Sequence, residues 1–366
     1  MIGAYCSMLS VVVPAHNGDR QVVKCLNALG ASSYLDFEVI VVDDCSSDDS
    51  PTAIQSHDVR YLRTPRRQGP ASARNLGVTA ARGDILVFVD ADVQVPPDAL
   101  AIIAEDFDRD PHLQAVFGSY DHEPSAPGFI SHYKNLFHHY IHQASSENAT
   151  TFWAGCGAIR RDVFERLGGF SSERYPRPAI EDIELGLRLV RHGHKILLDK
   201  RLQVKHLKRW TLLRMIKSDV LDRALPWSKL LLEMGTMPRD LNLTYSARFS
   251  VAATLLLPLV LLLLFMGHSA RGSMLLACSI ILLTLSLLAL NHRVYRFFLE
   301  KRGFVFALAA VPTHWFYYFY SGLAWACCCA AHFASGLRTP SAAPTVIQSV
   351  QVQSKTKGVL THTQIE

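Results

Sequence analysis

The first part of the chain repeats a pattern in which short apolar runs are separated by longer segments of mixed polarity. Continuous apolar runs rich in β-branched residues lie at LSVVV (9–13), FEVIVV (37–42) and ILVFV (85–89). These runs lack the alternation of a half-buried strand and are typical of strands buried on both faces, as in a parallel sheet. The pattern therefore predicts three buried strands near the start of the chain.

The segments between these runs carry helical spacing. Apolar residues recur at helical intervals from Val22 to a closing Gly30, and a weaker strand at 59–62 precedes a predicted helix at 70–82. Strands that alternate with helices imply right-handed βαβ units and an α/β fold with a mostly parallel, Rossmann-like sheet. In such sheets, ligands bind at the carboxyl ends of the strands, so the residues just after each run are the ones to inspect.

The same alternation returns later in the chain. IEDIELGLRLVRHGH (180–194) begins with acidic residues and reaches Gly193. Acids in the first turn and a glycine after the last turn are typical of the start and the end of a helix. KILLD (195–199) then reads as a further strand. We therefore expect the α/β domain to extend over about residues 8–210.

Three long apolar segments follow, at about 249–266, 273–290 and 304–333. Each approaches or exceeds the ~20 residues that cross a bilayer, which predicts about three transmembrane helices within 247–334. The loop before the third segment carries four basic residues, whereas the preceding loop carries only Arg271. The positive-inside rule therefore predicts a multi-pass membrane protein with its α/β domain on the cytoplasmic face. Residues 335–366 are polar and are predicted to be disordered.

A basic amphipathic segment lies between the two regions, within 211–240. One helical face would carry an apolar set, and Arg214, Lys217, Arg223 and Lys229 would lie elsewhere; the apolar set is Leu213, Ile216, Val220, Ala224, Trp227 and Leu231. Such a helix can lie on an anionic membrane surface. The same pattern equally suits a helix that packs on the core of the α/β domain.

Composition and charge exclude some functions. The chain of 366 residues has a net charge of +5, but its basic residues form no tract that would indicate a nucleic-acid partner. Its eight cysteines include no CxxC pair, which disfavours a zinc or redox motif and suggests reduced thiols in the cytosol. The first residues lack the basic and apolar regions of a signal peptide, which agrees with a cytoplasmic domain.

Polar side chains collect where the predicted strands end. PAHN (14–17) follows the first run, Asp43 and Asp44 follow the second, and Asp90 and Asp92 follow the third. Two carboxylates spaced as Asp-x-Asp can coordinate one hard divalent ion such as Mg²⁺ or Mn²⁺. An isolated Asp-x-Asp motif is more often part of a loop or a helix cap. Here, however, the motif directly follows a buried strand, which directs it to the ligand-binding edge of the sheet.

Five segments together resemble the family 2 glycosyltransferases, whose GT-A fold binds a nucleotide sugar. The resemblance covers about residues 8–210 and rests on VVVPAHN (11–17), EVIVVDDCSSDDS (38–50), GPASARNLGVTAARGDILVFVDADV (69–93), GCGAIRRDVFERLGGF (155–170) and AIEDIELGLRLVRHGHKI (179–196). Each segment alone is weakly specific, but the five occur in the order and at the spacing of the family.

The resemblance implies roles for individual residues. Pro14 and His16 would line the nucleobase pocket, Asp44 would bind the base, and Arg74 would lie near the base and the diphosphate, the less favoured alternative being a surface arginine on a helix. Asp90 would contact the ribose or the metal, Asp92 would bind Mg²⁺ or Mn²⁺ directly, and Asp182 would be the general base. The ion would stabilise charge on the leaving nucleoside diphosphate.

Asp182 is the candidate for the proton acceptor that the reaction requires. Inverting sugar transfer needs a carboxylate that accepts the proton of the attacking hydroxyl. Glu181 and Asp182 could instead serve only the dipole of the helix that they begin. At a helix N-terminus we expect the pKa of Asp182 to be depressed rather than raised.

His206 and Trp210 lie in VKHLKRW (204–210), after the last predicted strand. His206 could be a third metal ligand or a surface histidine. Arg209 and Trp210 resemble the end of the Q-x-x-R-W motif of processive polysaccharide synthases, in which tryptophan stacks on acceptor sugar. Because position 206 is His rather than Gln, the motif is incomplete, and Trp210 could equally be an interfacial anchor.

The segment GCG (155–157) is expected close to the sugar and the acceptor, since its glycines would permit close approach of the backbone. A nucleophilic role for Cys156 is not indicated, because the sequence places no histidine partner beside it.

Three functions compete at this point. The first is a membrane-anchored, metal-dependent inverting glycosyltransferase that takes a nucleotide-sugar donor and a lipid-linked or membrane-associated acceptor. The second is a processive polysaccharide synthase. The third is a non-catalytic membrane scaffold on a degenerate form of the fold, against which the intact set of Asp90, Asp92 and Asp182 argues.

Overall fold

A computed structural model of the chain describes residues 8–235, 237–238, 240–266 and 269–334. An α/β domain comes first and is followed by a region made of helices, as the order of the sequence patterns predicts. The tail predicted to be disordered, 335–366, lies outside the described residues.

The α/β domain is built on one eight-stranded sheet in the described part of the chain. Its strands are β1 (Leu9–Ala15), β2 (Phe37–Asp43), β3 (Arg60–Arg63), β4 (Ile85–Val89), β5 (Val93–Gln94), β6 (Leu113–Tyr120), β7 (Cys156–Arg160) and β8 (Lys195–His206). They are ordered β3-β2-β1-β4-β7-β6-β8-β5. The pairs β1–β2, β1–β4, β2–β3 and β6–β8 are parallel, and the other three neighbouring pairs are antiparallel. The prediction of a mostly parallel sheet is confirmed.

Helices cover both faces of the sheet. They are α1 (Asp19–Gly30), α2 (Ser50–Gln55), α3 (Pro70–Ala80), α4 (Ala99–Arg109), α5 (Phe129–Ala144), α6 (Arg161–Arg166) and α7 (Glu181–Arg191). The side chains of β1 alternate between the two faces of the sheet, since Val11 and Val13 belong to one buried cluster and Val12 belongs to the other. Gly77 lets α3 lie close to β1, because a Cβ there would stand 2.4 Å from Cγ1 of Val12.

Parallel pairing of β1, β2 and β4 brings their carboxyl ends to one edge. Ala15 lies opposite Asp43 in the register, and the backbone N–H of Asp44 donates to the carbonyl of Ala15 at 2.7 Å. The predicted strand at 195–199 continues to residue 206, so His206 is the last residue of β8 rather than a residue beyond it. This length carries His206 back to the same edge.

The segment predicted as one amphipathic helix consists of three pieces, which are α8 (Leu212–Lys217), a π-helix (Ser218–Ala224) and α9 (Leu225–Met234). In the first part, Leu213 of the predicted apolar set is 76% exposed, whereas Met215 and Asp219, which lie outside that set, are buried. A π-helix closes i→i+5 hydrogen bonds and therefore shifts the register of all later side chains relative to an α-helix.

The C-terminal region contains α10 (Tyr245–Phe265), α11 (Ala270–Leu290) and α12 (His292–Ala334). Among the described residues, α10 and α11 are the two helices long and apolar enough to cross a membrane. They contain the first two predicted spans. The third predicted span, 304–333, lies in α12 after a break at Gly303 (φ 80°) and does not meet the same criterion. Its buried side includes His314, Tyr318 and Tyr320, which give it a more polar composition than the other two helices.

Candidate active site

The Asp-x-Asp pair lies in a tight turn between β4 and β5 at the carboxyl edge of the sheet. The backbone N–H of Asp90 donates to the carbonyl of Gly155 at 3.1 Å, and Val93 N–H donates to the carbonyl of Asp90 at 3.0 Å. Val93 then pairs with His206 in the antiparallel β5–β8 ladder. The turn thus sets Asp92 beside His206, with 3.6 Å between Oδ2 and Nε2.

His206 is buried and its ring is held in place by stacking. The ring lies on that of Tyr120 with centroids 4.1 Å apart and an interplanar angle of 9°. A stacked imidazole keeps one orientation, so Nε2 stays directed toward Asp92. The alternative of a surface histidine is therefore wrong, since only 6% of His206 is exposed.

The two carboxylates of the turn differ in acidity. Burial raises the pKa of Asp90, and repulsion by Asp92 adds to this, although Arg74 opposes the shift. Burial alone would also raise the pKa of Asp92, but contact with His206 and the charge of Lys208 lower it overall. Asp92 is therefore the carboxylate that remains ionised most readily.

The chemistry of these side chains fits a divalent ion. Carboxylates suit Mg²⁺ and Mn²⁺, and the 3.6 Å between Asp92 and His206 is a separation that two ligands of one ion can adopt. Within the described ranges no three such side chains form a ready-made ligand set. Oδ1 of Asp90 instead accepts a hydrogen bond from Arg74, so that its other oxygen is the one left for a ligand.

Arg74 connects the Asp-x-Asp turn to the start of α7. Its guanidinium donates to Asp90 Oδ1 at 2.7 Å and to Glu181 Oε1 at 2.9 Å. Only 4% of Arg74 is exposed, which excludes the surface-arginine alternative. Burial lowers the pKa of Arg74, but the charges of Asp90 and Glu181 outweigh burial and raise it overall. The structure thus places Arg74 as the cation that balances two acidic groups.

Asp182 is fixed at the first turn of α7 by two backbone amides. Ala154 N–H donates to Oδ2 at 3.1 Å, and Ile183 N–H donates to Oδ1 at 2.8 Å. Gly186 permits this contact between α7 and the segment before β7, because a Cβ at Gly186 would stand 2.2 Å from the backbone nitrogen of Phe152. The helix therefore holds the carboxylate against the segment that precedes GCG.

The expected depression of the Asp182 pKa is wrong. Burial, reinforced by the neighbouring charge of Glu181, raises the pKa of Asp182 to about 6. Arg74 and the two backbone amides lower it but do not cancel the cost of removing the carboxylate from water. A pKa in this range suits a general base that works near neutral pH.

This pKa predicts the pH dependence of transfer. Below about pH 6 Asp182 binds a proton and cannot accept one, so we expect kcat/KM to rise through an apparent pKa near 6 and then to level off. The measurement is kcat/KM between pH 4.5 and 8.5 at saturating metal. A profile flat down to pH 4.5 would contradict the assignment of the base.

The other predicted donor-site residues lie at the ends of β1 and β2. Nδ1 of His16 is 2.8 Å from the carbonyl of Asp44, and Pro14 is half-buried beside it. The Asp44 carboxylate accepts hydrogen bonds from Thr64 Oγ1 at 2.9 Å, Gln68 N–H at 2.8 Å and Gly69 N–H at 2.7 Å. These three donors belong to the loop that leads into α3. A carboxylate has about four acceptor positions, and these three donors occupy most of those of Asp44.

The glycines of GCG leave room for neighbouring side chains and backbone of the protein. A Cβ at Gly155 would stand 2.3 Å from the ring of Trp153, so the glycine leaves room for this indole. Trp153 in turn meets Tyr120 edge-on, with centroids 4.9 Å apart. Burial raises the pKa of Cys156 to about 12, which agrees with its having no nucleophilic role.

Sequence reasoning gave no site role to Glu181, Tyr120, Trp153 or Lys208. Glu181 lies next to Asp182, the predicted base, in the sequence. The available signal for its role was that a buried Arg74 needs carboxylates to balance its charge. Tyr120 and Trp153 are contributed by β6 and by the segment before β7. No local pattern reveals that these rings meet His206 or one another.

Comparison with known proteins supports these observations. Residues 10–168 match the family model described as glycosyl transferase family 2. An uncharacterized glycosyltransferase of Haemophilus influenzae is 27% identical over 50% of the chain and 62% of its own length. The succinoglycan biosynthesis protein ExoO of Rhizobium meliloti is 38% identical over 26% of the chain and 29% of its own length. The chain therefore spans less than two thirds of these curated relatives.

Solved structures of low identity are also similar. The S. aureus protein TarS, residues 1–349, is 16% identical, covers 91% of this chain and 93% of its own, and gives a TM-score of 0.47. A mannosyltransferase from Pyrobaculum calidifontis, in complex with GDP-Man and Mn²⁺, is 19% identical, covers 92% and 87%, and gives 0.45.

The family match includes the ends of β1, β2 and β4, where the carboxylates of the site lie. The order of motifs, the sheet and the match agree with one another. Residues 10–168 therefore have the features of a glycosyl transferase family 2 domain.

Proposed function

We propose that the chain is a membrane-anchored, metal-dependent inverting glycosyltransferase that moves a sugar from a nucleotide-sugar donor to a lipid-linked or membrane-associated acceptor. The observation that carries the proposal is a continuous series of charged side chains. It runs from Asp92 and Asp90 through Arg74 and Glu181 to Asp182. This series of contacts brings the Asp-x-Asp turn and a carboxylate of raised pKa to one edge of the sheet, which is the arrangement that the proposal requires.

The donor is held at the ends of β1, β2 and β4. Asp90, Asp92 and His206 would hold Mg²⁺ or Mn²⁺, which when bound offsets the charge of the leaving diphosphate. Pro14 and His16 would line the pocket of the nucleobase, with Asp44 accepting a hydrogen bond from the base. Arg74 keeps Asp90 in place, and its charge reduces the repulsion that the diphosphate would meet.

Transfer needs one proton acceptor, and Asp182 is placed to be it. The oxygen of an acceptor hydroxyl forms a bond to the anomeric carbon while the bond from that carbon to the diphosphate oxygen breaks. The electron pair leaves with the nucleoside diphosphate, and the hydroxyl proton passes to the carboxylate of Asp182. The amides of Ala154 and Ile183 fix the orientation of this carboxylate.

The helical region supports a membrane-associated acceptor. Exposed leucines cover α10 and α11, among them Leu262 at 60% and Leu275 at 65%. A large exposed apolar surface of this kind is favourable in a bilayer and unfavourable in water. Relatives named for succinoglycan and chondroitin synthesis indicate that glycan assembly is the process to test first.

The test is a panel of nucleotide sugars. Full-length protein in detergent would be given each donor with Mn²⁺ or Mg²⁺ and membrane lipid extract, and released nucleoside diphosphate and product mass would be measured. We expect release with one donor, dependent on metal and lipid. No release and no nucleotide binding with any donor would overturn the proposal.

Asp92→Asn is expected to reduce this release by about 100-fold or more and to raise the Mn²⁺ concentration needed for half-maximal activity, because a metal ligand is lost. The measurement is a metal titration at saturating donor. Asp108→Asn is the control, since Asp108 is an exposed acid on α4. An Asp92→Asn protein with unchanged release and unchanged metal dependence would contradict the assignment of Asp92 as a metal ligand.

A processive synthase is disfavoured by the position of Trp210. Its backbone N–H donates to Ser131 Oγ at 3.0 Å, and its ring lies under the ammonium of Lys208 at 4.6 Å. A lysine ammonium therefore lies over the ring face on which an acceptor sugar would stack. The expected product carries one added sugar, and a ladder of product masses would favour the synthase.

A further inference from the structure

The ring of Tyr120 lies against His206 and is itself enclosed by two further rings. Tyr120 is the last residue of β6, and its ring is stacked on the His206 imidazole with an interplanar angle of 9°. His138 of α5 stands 4.3 Å from the Tyr120 ring, and Trp153 meets that ring edge-on at 4.9 Å. His138 and Trp153 also contact each other, with 5.0 Å between their centroids. Since His206 occupies the stacked face, the other two rings hold the phenol ring from its remaining sides.

The backbone of Tyr120 is held as well. Tyr120 pairs with Val204 in the parallel β6–β8 ladder, and the next N–H, that of Asp121, donates to the carbonyl of Val204 at 2.8 Å. The carbonyl of Tyr120 lies 2.7 Å from Nδ1 of His139 in α5. Because side chains two apart on a strand point to the same face, Tyr120, which lies opposite Val204, shares a face with His206. Both the ring and the backbone of Tyr120 are therefore fixed by neighbouring elements.

The imidazole of His206 has little else to orient it. The carbonyl of His206 accepts a hydrogen bond from Ser125 Oγ at 2.7 Å, which fixes the backbone but not the ring. Nε2 is directed toward Asp92, and among the residues that the structure describes no hydrogen bond reaches Nδ1. A histidine that binds a metal is usually oriented by a hydrogen bond from its other ring nitrogen. Here the stack on Tyr120 takes the place of that hydrogen bond, since the next ring, Trp210, is 6.5 Å away.

We propose that Tyr120 is a positioning residue of the metal site and that it makes the site prefer Mn²⁺ to Mg²⁺. The inference rests on the proposed function, because it concerns the ion of that reaction. The Tyr120 ring keeps the His206 imidazole in the orientation that offers Nε2 to an ion beside Asp92. Mg²⁺ takes oxygen ligands in a strict octahedron, whereas Mn²⁺ accepts an imidazole nitrogen more readily. A nitrogen donor in a fixed orientation therefore adds more to the affinity for Mn²⁺ than to that for Mg²⁺.

Two other roles for Tyr120 lead to different expectations. A ring that only fills the core would affect the free energy of unfolding and leave the preference between the two ions unchanged. A hydroxyl group that contacts a ligand would make Tyr120→Phe as harmful as Tyr120→Leu. Stacking on His206 needs the ring but not the hydroxyl group, so the proposed role is kept by phenylalanine and lost with leucine.

The test measures ion binding to the full chain in a non-ionic detergent, without donor or acceptor. Electron paramagnetic resonance follows free Mn²⁺, and competition with Mn²⁺ gives the affinity for Mg²⁺. Electron spin echo envelope modulation of the bound Mn²⁺ detects coupling to an imidazole nitrogen, and His206→Gln is the reference that lacks this nitrogen. Urea denaturation followed by circular dichroism reports the stability of each variant.

Phe107→Leu is the matched control for the loss of a buried ring. Phe107 belongs to the same buried cluster as Tyr120, and its ring lies against the guanidinium of Arg160 rather than at the site. Its substitution lowers stability by the loss of packing but leaves the stack on His206 in place. His138→Leu is a second test variant, because it removes one of the rings that hold Tyr120. His138 is only half-buried, so this variant decides the question if Tyr120→Leu does not fold.

We expect wild-type protein to bind Mn²⁺ at least about tenfold more tightly than Mg²⁺ and to show the nitrogen coupling. Tyr120→Leu should weaken Mn²⁺ binding by about tenfold or more, because a group that orients a metal-binding histidine is lost. The same variant should lose most of the nitrogen coupling and keep its affinity for Mg²⁺. Tyr120→Phe and Phe107→Leu should match wild type, and His138→Leu should lie between wild type and Tyr120→Leu.

Several outcomes would overturn the proposal. They are equal affinity of wild type for the two ions, unaltered Mn²⁺ binding in Tyr120→Leu (or in His138→Leu, should the former not fold), an equal weakening of Mn²⁺ and Mg²⁺, the same loss in Phe107→Leu, and the same loss in Tyr120→Phe. Mn²⁺ bound to wild type without nitrogen coupling would overturn this inference and leave the metal dependence of the proposed function intact. A wild-type protein that binds neither ion would contradict both.

Discussion

Asp182→Asn is expected to lower kcat by about 10²- to 10⁴-fold, because the amide cannot accept the proton of the attacking hydroxyl. The amide keeps nearly the shape of the carboxylate, and its oxygen can still accept a hydrogen bond from Ala154 or Ile183. Donor KM should therefore change little. The measurement is steady-state kinetics on the full-length protein at pH 7.5, with donor and acceptor varied in turn.

The stability of the same variant separates a base from a structural acid. The pKa of Asp182 in the folded protein, about 6, lies above its usual value, so the folded state binds protons more tightly than the unfolded state. Ionisation of Asp182 therefore destabilises the fold as pH rises through this window. At pH 7.5, Asp182→Asn should be at least as stable as wild type in a urea melt.

Asp162→Asn is the matched control, because Asp162 is an exposed acid at the start of α6 whose partner is Arg166. We expect it to leave both kcat and stability unchanged within error. If Asp182→Asn kept more than a third of wild-type kcat, or if it lost activity only by unfolding, Asp182 would not be the base.

Arg74→Met is expected to lower the free energy of unfolding by about 3–5 kcal/mol, because it leaves the buried charges of Asp90 and Glu181 without a cation. The partial exposure of Asp90, whose side chain is 32% accessible, places the loss toward the lower end of this range. The measurement is urea denaturation followed by circular dichroism. Arg82→Met is the control, since Arg82 is exposed and its partner Glu38 is 4.0 Å away.

A second substitution tests the cause of this loss. If uncompensated charge is responsible, adding Glu181→Gln to Arg74→Met should restore about 1 kcal/mol or more, because one orphaned carboxylate is removed. Glu181→Gln in wild-type protein should instead destabilise. Simple additivity of the two substitutions would show that most of the loss comes from packing, such as the contact of Arg74 with the ring of Phe170.

The apolar runs at 9–13, 37–42 and 85–89 were sufficient to predict β1, β2 and β4, and hence the edge where Asp44 and Asp90 lie. This works because a strand buried on both faces leaves a local signature, and parallel strands present their carboxyl ends together. The start of α7, where Asp182 lies, was located for the same reason, since acids and a later glycine mark the ends of this helix. The role of Asp182 as a base was implied by the family resemblance.

The contacts that turn these residues into a site are long-range. Asp92 meets His206 only because β5 pairs with the far end of β8, and Asp90 reaches Glu181 only through Arg74. The π-helix has no signature in the apolar pattern, so the division of this segment into three pieces was not predicted. The third apolar segment was counted as a span on its length, whereas its histidine and tyrosine side chains give it a more polar composition than the other two helices.

The sequence by itself thus determined the α/β fold, the family resemblance and the place of the Asp-x-Asp turn at the carboxyl edge of the sheet. Only the tertiary structure decided the raised pKa of Asp182, the orientation of His206 and the pairing of Arg74. The physical reason is that secondary structure follows from local periodicity, whereas pKa and charge balance depend on burial and on neighbours distant in the chain.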